Sequence, residues 1–421
     1  MLTSRERLEA TLDHRQPDRL CVDIGGATGS GVAASVVWAL RRRLLGSDEP
    51  VRVSSPYWMQ GDIDEPLRHA LGGDVANIRG TGYSFRTGDE RWTPHVLFDG
   101  TPVLFPADIA VTTDENGDWL IHPLGDRSLP PSHRMPKGGF YFDSIIRQGP
   151  IDEDALDPAD NCEEFVLLKD EQVDHVARAA MRLAAETQYG IMIELPGASL
   201  GGIGGLPGRD LREPKGIRSP EEWYISYAIR KDYVKAVFAR QTEIALENIR
   251  RLAKAVGDAA QVALVCGTDF GTQRGPLISK DTYVELFSPF YRRLNDAVHS
   301  LTPWKTYKHS CGDNYELLGL MIDDGFDIFN PVQTSAGAMD PVRLKREFGD
   351  DLVFWGGGVD TQRTLPFGTP EQVYREARQR IDIFNDRGGF VFSAVHTIQD
   401  GTPVDNVLAM LRAVRDSDRA L

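Results

Sequence analysis

Cysteine is scarce in this sequence. The 421 residues hold four, Cys21, Cys162, Cys266 and Cys311, widely spaced and without a Cys-x-x-Cys pair, which excludes a disulfide framework and leaves reduced thiols. Long apolar runs are missing too: none approaches the roughly 18 consecutive residues that a membrane-spanning helix needs. The opening segment Met1–Arg7 leads into an amphipathic helix pattern, with neither the apolar core nor the cleavage site of a secretory signal, so a cytoplasmic location is expected. Positive charge is also short. The formal net charge is -15, and the longest basic run, Arg41-Arg42-Arg43, lies on a helical pattern as a solvated face, so no nucleic-acid partner is expected. Phosphate-cradling glycine motifs are absent as well. Gly201-Gly202-Ile203-Gly204-Gly205 follows Pro196 without the dinucleotide spacing, which sets the open doubly wound sheet behind other α/β architectures.

What is present is a regular alternation of apolar strands and helical stripes. Short apolar runs centre near Val22, Val75, Met192, Leu264, Tyr307, Ile328, Phe354 and Phe392, and nearly all are followed by helix-period patterns. Val173, Val176, Ala180 and Leu183 form one such stripe, and Val373, Ala377, Ile381 and Phe384 another. Long helical regions are expected over 223–256 and 280–299, the second entered through Ser279 as N-cap. Eight strands alternating with helices predict an α/β fold, a (β/α)8 TIM-type barrel with an N-terminal extension. Between about 80 and 125 the pattern changes to short alternating segments with turn signals at Asp99-Gly100 and Asn116-Gly117, expected as inserted β-hairpins. The whole chain, 1–421, is expected to form one barrel domain.

Such barrels place their chemistry just past the carboxyl ends of the strands. The fifth strand runs into Tyr307-Lys308-His309-Ser310-Cys311-Gly312-Asp313, where His309 and Cys311 sit two residues apart on one side, as a chelating pair of imidazole and thiolate suited to zinc. Taken alone, the same residues also describe a satisfied histidine beside a core thiol. Other strand ends add Asp23, Glu194, Cys266 with Asp269, Asn330 with Gln333, Asp360, and His396 with Gln399. Each has a plainer reading: Glu194 as the partner of a barrel arginine, Cys266 as core, Asp269 and Asp360 as caps of the turns that follow. His396 ends the apolar run Phe390–Val395, where a histidine has little reason to stand unless it binds metal or substrate.

Several of these stretches together resemble the uroporphyrinogen decarboxylase superfamily, most closely its methyltransferase branch. They are His309-Ser310-Cys311-Gly312, Asn330-Pro331-Val332-Gln333, Gly356-Gly357-Gly358-Val359-Asp360, the His396 segment with Pro403, Asn406 and Met410, and near the start Arg5-Glu6-Arg7 and Pro17-Asp18-Arg19. The resemblance implies a single (β/α)8 barrel and one of two activities. Decarboxylase members remove carboxylates from a tetrapyrrole without a cofactor; corrinoid-linked methyltransferases use Zn2+ to activate a thiol that accepts a methyl group from methylcobalamin.

The zinc pattern of that branch is His-x-Cys followed far downstream by a second cysteine. Here no cysteine follows Cys311. The resemblance therefore implies His309 and Cys311 as metal ligands with His396 as the substituted third, Glu194 or Cys266 being further options. Asp269 and His396 become the catalytic candidates, and Asn330, Gln333 and Asp360 the substrate-binding ones. The decarboxylase's arginine-bearing loop should follow the first strand, where this chain has Ile24-Gly25-Gly26-Ala27-Thr28-Gly29-Ser30. A polycarboxylate needs paired cations in a confined site, and that loop supplies none. The expected function is methyl transfer between a small-molecule donor or acceptor and a corrinoid, methylcobalamin or cob(I)alamin, on a separate partner protein, since no Asp-x-His-x-x-Gly cobalamin motif occurs. A decarboxylase-like carboxy-lyase and a non-catalytic tetrapyrrole- or corrinoid-binding barrel are the alternatives.

Overall fold

The computed structural model describes residues 1–78 and 91–418. Eight strands form one parallel sheet: β1 Cys21–Val22, β2 Val75–Ile78, β3 Gly190–Glu194, β4 Val262–Cys266, β5 Lys305–His309, β6 Ile328–Asn330, β7 Val353–Trp355 and β8 Phe390–Phe392. Each pairs with its neighbour in sequence from β2 to β8, and β8 returns to β1 with Val391 opposite Cys21. Every strand centre expected from the sequence lies in one of these strands. With helices between them, they make a (β/α)8 TIM-type barrel.

The last seam, between β1 and β2, is too short for a ladder and is closed by Asp74. Its backbone N–H donates to Val22 O at 2.7 Å, and its side-chain Oδ2 accepts from Val22 N at 3.0 Å, so a carboxylate oxygen stands where a strand carbonyl would. The same fully buried carboxylate takes Arg7 Nη1 at 2.8 Å and Arg19 Nη2 at 2.7 Å, while Arg7 Nε reaches Asp18 at 3.0 Å. The Arg-Glu-Arg and Pro-Asp-Arg segments near the start thus meet at the floor of the barrel.

That floor is plugged by the helix Ser4–Leu12. Thr3 caps it through a hydrogen bond from Glu6 N, with Glu6 reaching back to Thr3 N in a capping box. Leu8 and Leu12 then enter the barrel interior beside Cys21, Val75, Met192, Val262, Tyr307, Ile328, Val353, Trp355 and Val391. Gly190 is required here, because a side chain on it would run into Leu8 Cδ2 at 2.3 Å. A second, larger apolar layer, with Val22, Ile193, Val265, Phe329, Phe354 and Phe392 among its members, packs the outer faces of the strands against the helices.

Two helical regions differ from expectation. The 280–299 region is two helices, Lys280–Leu286 and Ser288–Leu301, because Pro289 lacks an N–H and its ring opposes the carbonyl four residues earlier. Ser279 does cap the first, accepting from Thr282 N at 3.1 Å. The 223–256 region divides at Arg230 into Pro220–Ile229 and Lys231–Val256.

Between β2 and β3 lie further strands. Trp92–Val96 and Pro102–Pro106 form an antiparallel hairpin, which joins Val51–Ser55 and Gln60–Gly61 in a four-stranded sheet. Val111–Thr113 and Trp119–Ile121 form another, extended by His133–Met135 and Asp143–Ser144 beyond the expected end near 125. The first part of that expected insertion, 80–90, lies outside the described residues.

Removing one member of a buried, hydrogen-bonded ion pair costs about 3–5 kcal/mol because its partner stays buried and uncompensated. Asp74→Ala is therefore expected to lower unfolding free energy by about that amount in urea denaturation, and by more than Asp18→Ala, whose carboxylate is partly exposed.

Candidate metal centre

Strand alternation decides which side chains reach the site. Val75, Met192, Tyr307, Ile328 and Val353 all point into the barrel, so the residues two further along their strands, Asn77, Glu194, His309, Asn330 and Trp355, point inward one layer nearer the carboxyl ends. His309 ends β5 in that layer. Cys311 follows two residues later, and His396 arrives from the loop after β8. The ligand atoms of these three all lie within 4.8 Å of one another. His309 Nε2 and Cys311 Sγ are 3.4 Å apart, and the two imidazole rings meet edge to face at 5.3 Å.

The histidine is held in one tautomer. His309 Nδ1 lies 2.6 Å from Asn330 Oδ1, while Asn330 Nδ2 donates to Trp355 O at 2.8 Å. The amide oxygen can only accept, so His309 donates from Nδ1, which leaves the Nε2 lone pair directed toward Cys311. A glycine loop covers this pair. The buried Asp23 carboxylate gathers Gly26 N at 2.8 Å, Ser30 Oγ at 2.6 Å and Trp355 Nε1 at 2.8 Å, folding 25–30 over the site. A Cβ on Gly29 would stand 2.6 Å from Asn330 Oδ1 and 3.0 Å from His309 Nδ1.

Cys311 sits on a turn whose polar groups are all engaged. Ser310 Oγ accepts from Phe270 N and donates to Asn314, and Asn314 Nδ2 donates to the carbonyls of Ser310, Cys311 and Gly312. Asp269 Oδ1 accepts Cys311 N–H at 2.7 Å, and Gln333 Oε1 accepts Gly312 N–H at 2.9 Å. Gly312, with φ of +79°, touches the Gly271 backbone so closely that a Cβ would lie 2.4 Å from the Gly271 carbonyl carbon. The buried Lys308 ammonium ties the two loops together, donating to Thr268 O and His309 O, both at 2.6 Å.

Residues 210–417, which include this whole constellation apart from the glycine loop, match the family model described as "Uroporphyrinogen decarboxylase (URO-D)". The carboxyl-terminal half of the chain is thus similar to the uroporphyrinogen decarboxylase superfamily. Over 192 residues it is 27% identical to a Methylated-thiol--coenzyme M methyltransferase of Methanosarcina mazei, a match covering 41% of this chain and 48% of that protein. The chain thus spans about half the length of the curated relative it matches. A solved structure described as a methyltransferase from Methanosarcina mazei shares the fold over 99% of both chains, with a TM-score of 0.56 and 16% identity.

Within this fold the expected site residues divide into two groups. His309, Cys311 and His396 come together, and Asp269 adjoins Cys311. Glu194 faces the barrel interior but does not join the group of three; its Oε1 accepts from Asn77 Nδ2 at 3.4 Å. Cys266 turns away. A register irregularity between Leu264 and Cys266 breaks the alternation that would bring it inward, and its fully buried thiol lies 2.8 Å from Tyr291 Oη in the outer layer.

Asn330, Gln333 and Asp360, read from the sequence as substrate contacts, each have protein partners. Asn330 uses both ends of its amide on His309 and Trp355, and Gln333 pins Gly312. Asp360 caps the turn after β7 by accepting from Gln362 N and Arg363 N. Lys308, Asn314 and the Asp23–Trp355 pair were not singled out for these positioning roles. Their only sequence signal is position: each flanks a strand end.

Burial shapes the charges. It lowers the pKa of His309, and together with the neighbouring His309 it lowers that of His396 to about 4, so both rings stay neutral with lone pairs available at neutral pH. Burial and then the Asp269 carboxylate push the Cys311 thiol up, so in the metal-free protein it keeps its proton. A histidine that titrates near 4 when folded and near 6.5 when unfolded leaves the unfolded chain with the extra proton between those values. Stability therefore falls as pH falls through that window. For chelator-treated protein, His396→Gln should lose less unfolding free energy than wild type between pH 7 and pH 4, measured by urea denaturation at each pH.

Partners of a ligating histidine typically change metal affinity about 10–100-fold when removed. Asn330→Ala is expected to weaken metal binding by that factor in competition with a chromogenic chelator, while Gln372→Ala, at the distant cap of the helix Pro370–Phe384, leaves it unchanged.

Proposed function

We propose that this chain is an enzyme that moves a methyl group between a small molecule and a corrinoid carried on a separate protein, with a zinc ion held by His309, Cys311 and His396. The observation that carries this reading is the convergence of one thiol and two neutral imidazoles from two strand ends, His309 and Cys311 from one and His396 from the other, with ligand atoms within 4.8 Å of one another. The donor set fits zinc. Tetrahedral bonds of about 2.1 Å to nitrogen and 2.3 Å to sulfur imply an N···S edge of about 3.6 Å, and His309 Nε2 and Cys311 Sγ stand 3.4 Å apart. Three protein ligands suit a catalytic site, since a structural one is closed by four.

When bound, zinc supplies Lewis acidity that lowers the pKa of a thiol or hydroxyl in the fourth position. The corrinoid supplies the cobalt that carries the methyl group. The protein's own residues prepare the site. Asn330 holds His309 with Nε2 unprotonated, and Ser310 and Asn314 fix the turn that presents Cys311. Asp269 lies beside Cys311, placed to hold a proton released from, or donated to, the group on which the methyl is exchanged. The same residues serve either direction of transfer. The methyltransferase likeness supports this reading over the decarboxylase named by the family description. So does the loop after β1, which carries no arginine and is folded by Asp23 onto His309 and Asn330.

Zinc near one per chain is expected in wild type, and its loss in Cys311→Ser and His309→Ala. Full retention in both variants removes the metal assignment, and retention in His396→Ala alone moves His396 to substrate binding. For the reaction, cobalt absorbance is followed as zinc-loaded protein is mixed with methylcobalamin and a thiol, and separately with cob(I)alamin and methoxylated or methylamine compounds. No change in either direction with a corrinoid protein present sinks methyl transfer, and coproporphyrinogen formation from uroporphyrinogen would instead establish the decarboxylase.

A further inference from the structure

The helix Pro370–Phe384 has one flank engaged and one open. On the first, Tyr374 Oη donates to Asp416 Oδ2 at 3.0 Å and Glu371 pairs with Arg412, both partners lying on the last helix. On the second, Arg375, Glu376 and Arg380 join Asp360, Arg363 and Phe367, from the segment after β7, in lining a cleft of about 720 Å3. That is the volume of a small-molecule site. None of its three arginines has a carboxylate partner among the described residues, although Arg378 and Arg412, around the same helix, pair with Asp382 and Glu371. The two carboxylates in the lining are taken by backbone: Glu376 accepts from Asp360 N at 3.0 Å, and Asp360 from Gln362 N and Arg363 N. Arg375 Nε reaches the carbonyl of Glu371 at 3.4 Å, and Arg380 Nε is buried with no acceptor among the described residues.

We propose that this cleft is a second ligand site, for a small molecule carrying two linked oxyanion groups, a diphosphate or a polycarboxylate. The ligand class follows from the donors. A guanidinium fork matches a phosphate or carboxylate with two parallel hydrogen bonds, and three forks lining one cleft exceed what a single oxyanion uses. In a chain of net charge -15, carboxylates are plentiful, so three arginines without one leave a local positive field that an anion completes. A ligand oxygen would also satisfy Arg380 Nε, a buried donor otherwise left unmade. Phe367, 84% exposed, offers an apolar face to the rest of such a molecule. The cleft shares no lining residue with the metal centre and does not depend on the metal reading. The two are neighbours all the same: Val359, beside Asp360, accepts from Val395 N at 2.9 Å, one residue before His396.

The test is calorimetric titration of the full chain at low ionic strength with pyrophosphate, citrate and orthophosphate. One pyrophosphate or citrate per chain is expected, bound roughly tenfold tighter than orthophosphate, and the tighter of the two tells a phosphate source from a carboxylate one. Arg363→Ala and Arg375→Ala, both at exposed positions, are expected to keep the wild-type unfolding midpoint in urea while Kd rises about tenfold, the effect of losing hydrogen bonds to a charged group. Cys311→Ser controls for the metal centre, since both probes also chelate metal ions, and is expected to bind them as wild type does. No binding of either probe, wild-type affinity in both arginine variants, or orthophosphate held as tightly overturns the proposal. So does loss of binding in Cys311→Ser, which puts the anion at the metal centre.

Discussion

Barrel closure in this chain depends on the carboxylate of Asp74. β1 and β2 do not pair as strands, and the seam between them is joined by one backbone hydrogen bond and one made to a side-chain oxygen. A lone buried carboxylate could not hold that place, since a desolvated charge is tolerated only when fully hydrogen-bonded and paired. Arg7 and Arg19 supply the pairing, and the helix that carries Arg7 also drives Leu8 and Leu12 into the barrel floor. Electrostatic closure and apolar plugging are thus one arrangement, built from the first seventy-odd residues acting on a barrel completed much later in the chain.

The site at the opposite end inherits its geometry from that closure. A closed barrel fixes strand register, and register decides which of two faces each side chain takes. His309 and Asn330 pair across β5 and β6, and that neighbour relation is what lets the amide set the imidazole tautomer. Where register slips, at the end of β4, Cys266 is lost to the outer layer. The loops are then locked by close backbone approach, with Gly312 against Gly271 and Gly29 over His309, positions at which any side chain would push the site apart.

Much of the fold was legible because a parallel barrel writes itself as apolar runs separated by helical stripes; all eight strand centres, and the Ser279 cap, could be taken from local pattern. Asp74 was not. Nothing local distinguishes an aspartate before an apolar run from any turn residue, and its meaning lies in Arg7, Arg19 and Val22, some 52 to 67 residues away. The break at Pro289 was visible and was overridden by the length of the apolar pattern around it. At the site, His309, Cys311 and His396 were readable because metal-competent side chains at strand ends are conspicuous. The partners of Asn330, Gln333 and Asp360 were not, because polar residues there look the same whether they meet a substrate or support a loop. The silent Cys266 shows the limit of alternation as a guide: one irregular step in the ladder reverses the side to which a residue points.

The two imidazoles have a consequence for electronic character. A thiolate and two neutral rings carry one negative charge between them, so a divalent cation there keeps one unit of positive charge that a His-Cys-Cys set would cancel. Fewer sulfurs also make the donor set harder and less electron-releasing. A bound group would feel a stronger pull on its electrons and become a better leaving group but a poorer nucleophile. Under the proposed methyl transfer, a cation held by this donor set would withdraw electron density from the group bound to it more strongly than one held by two thiolates.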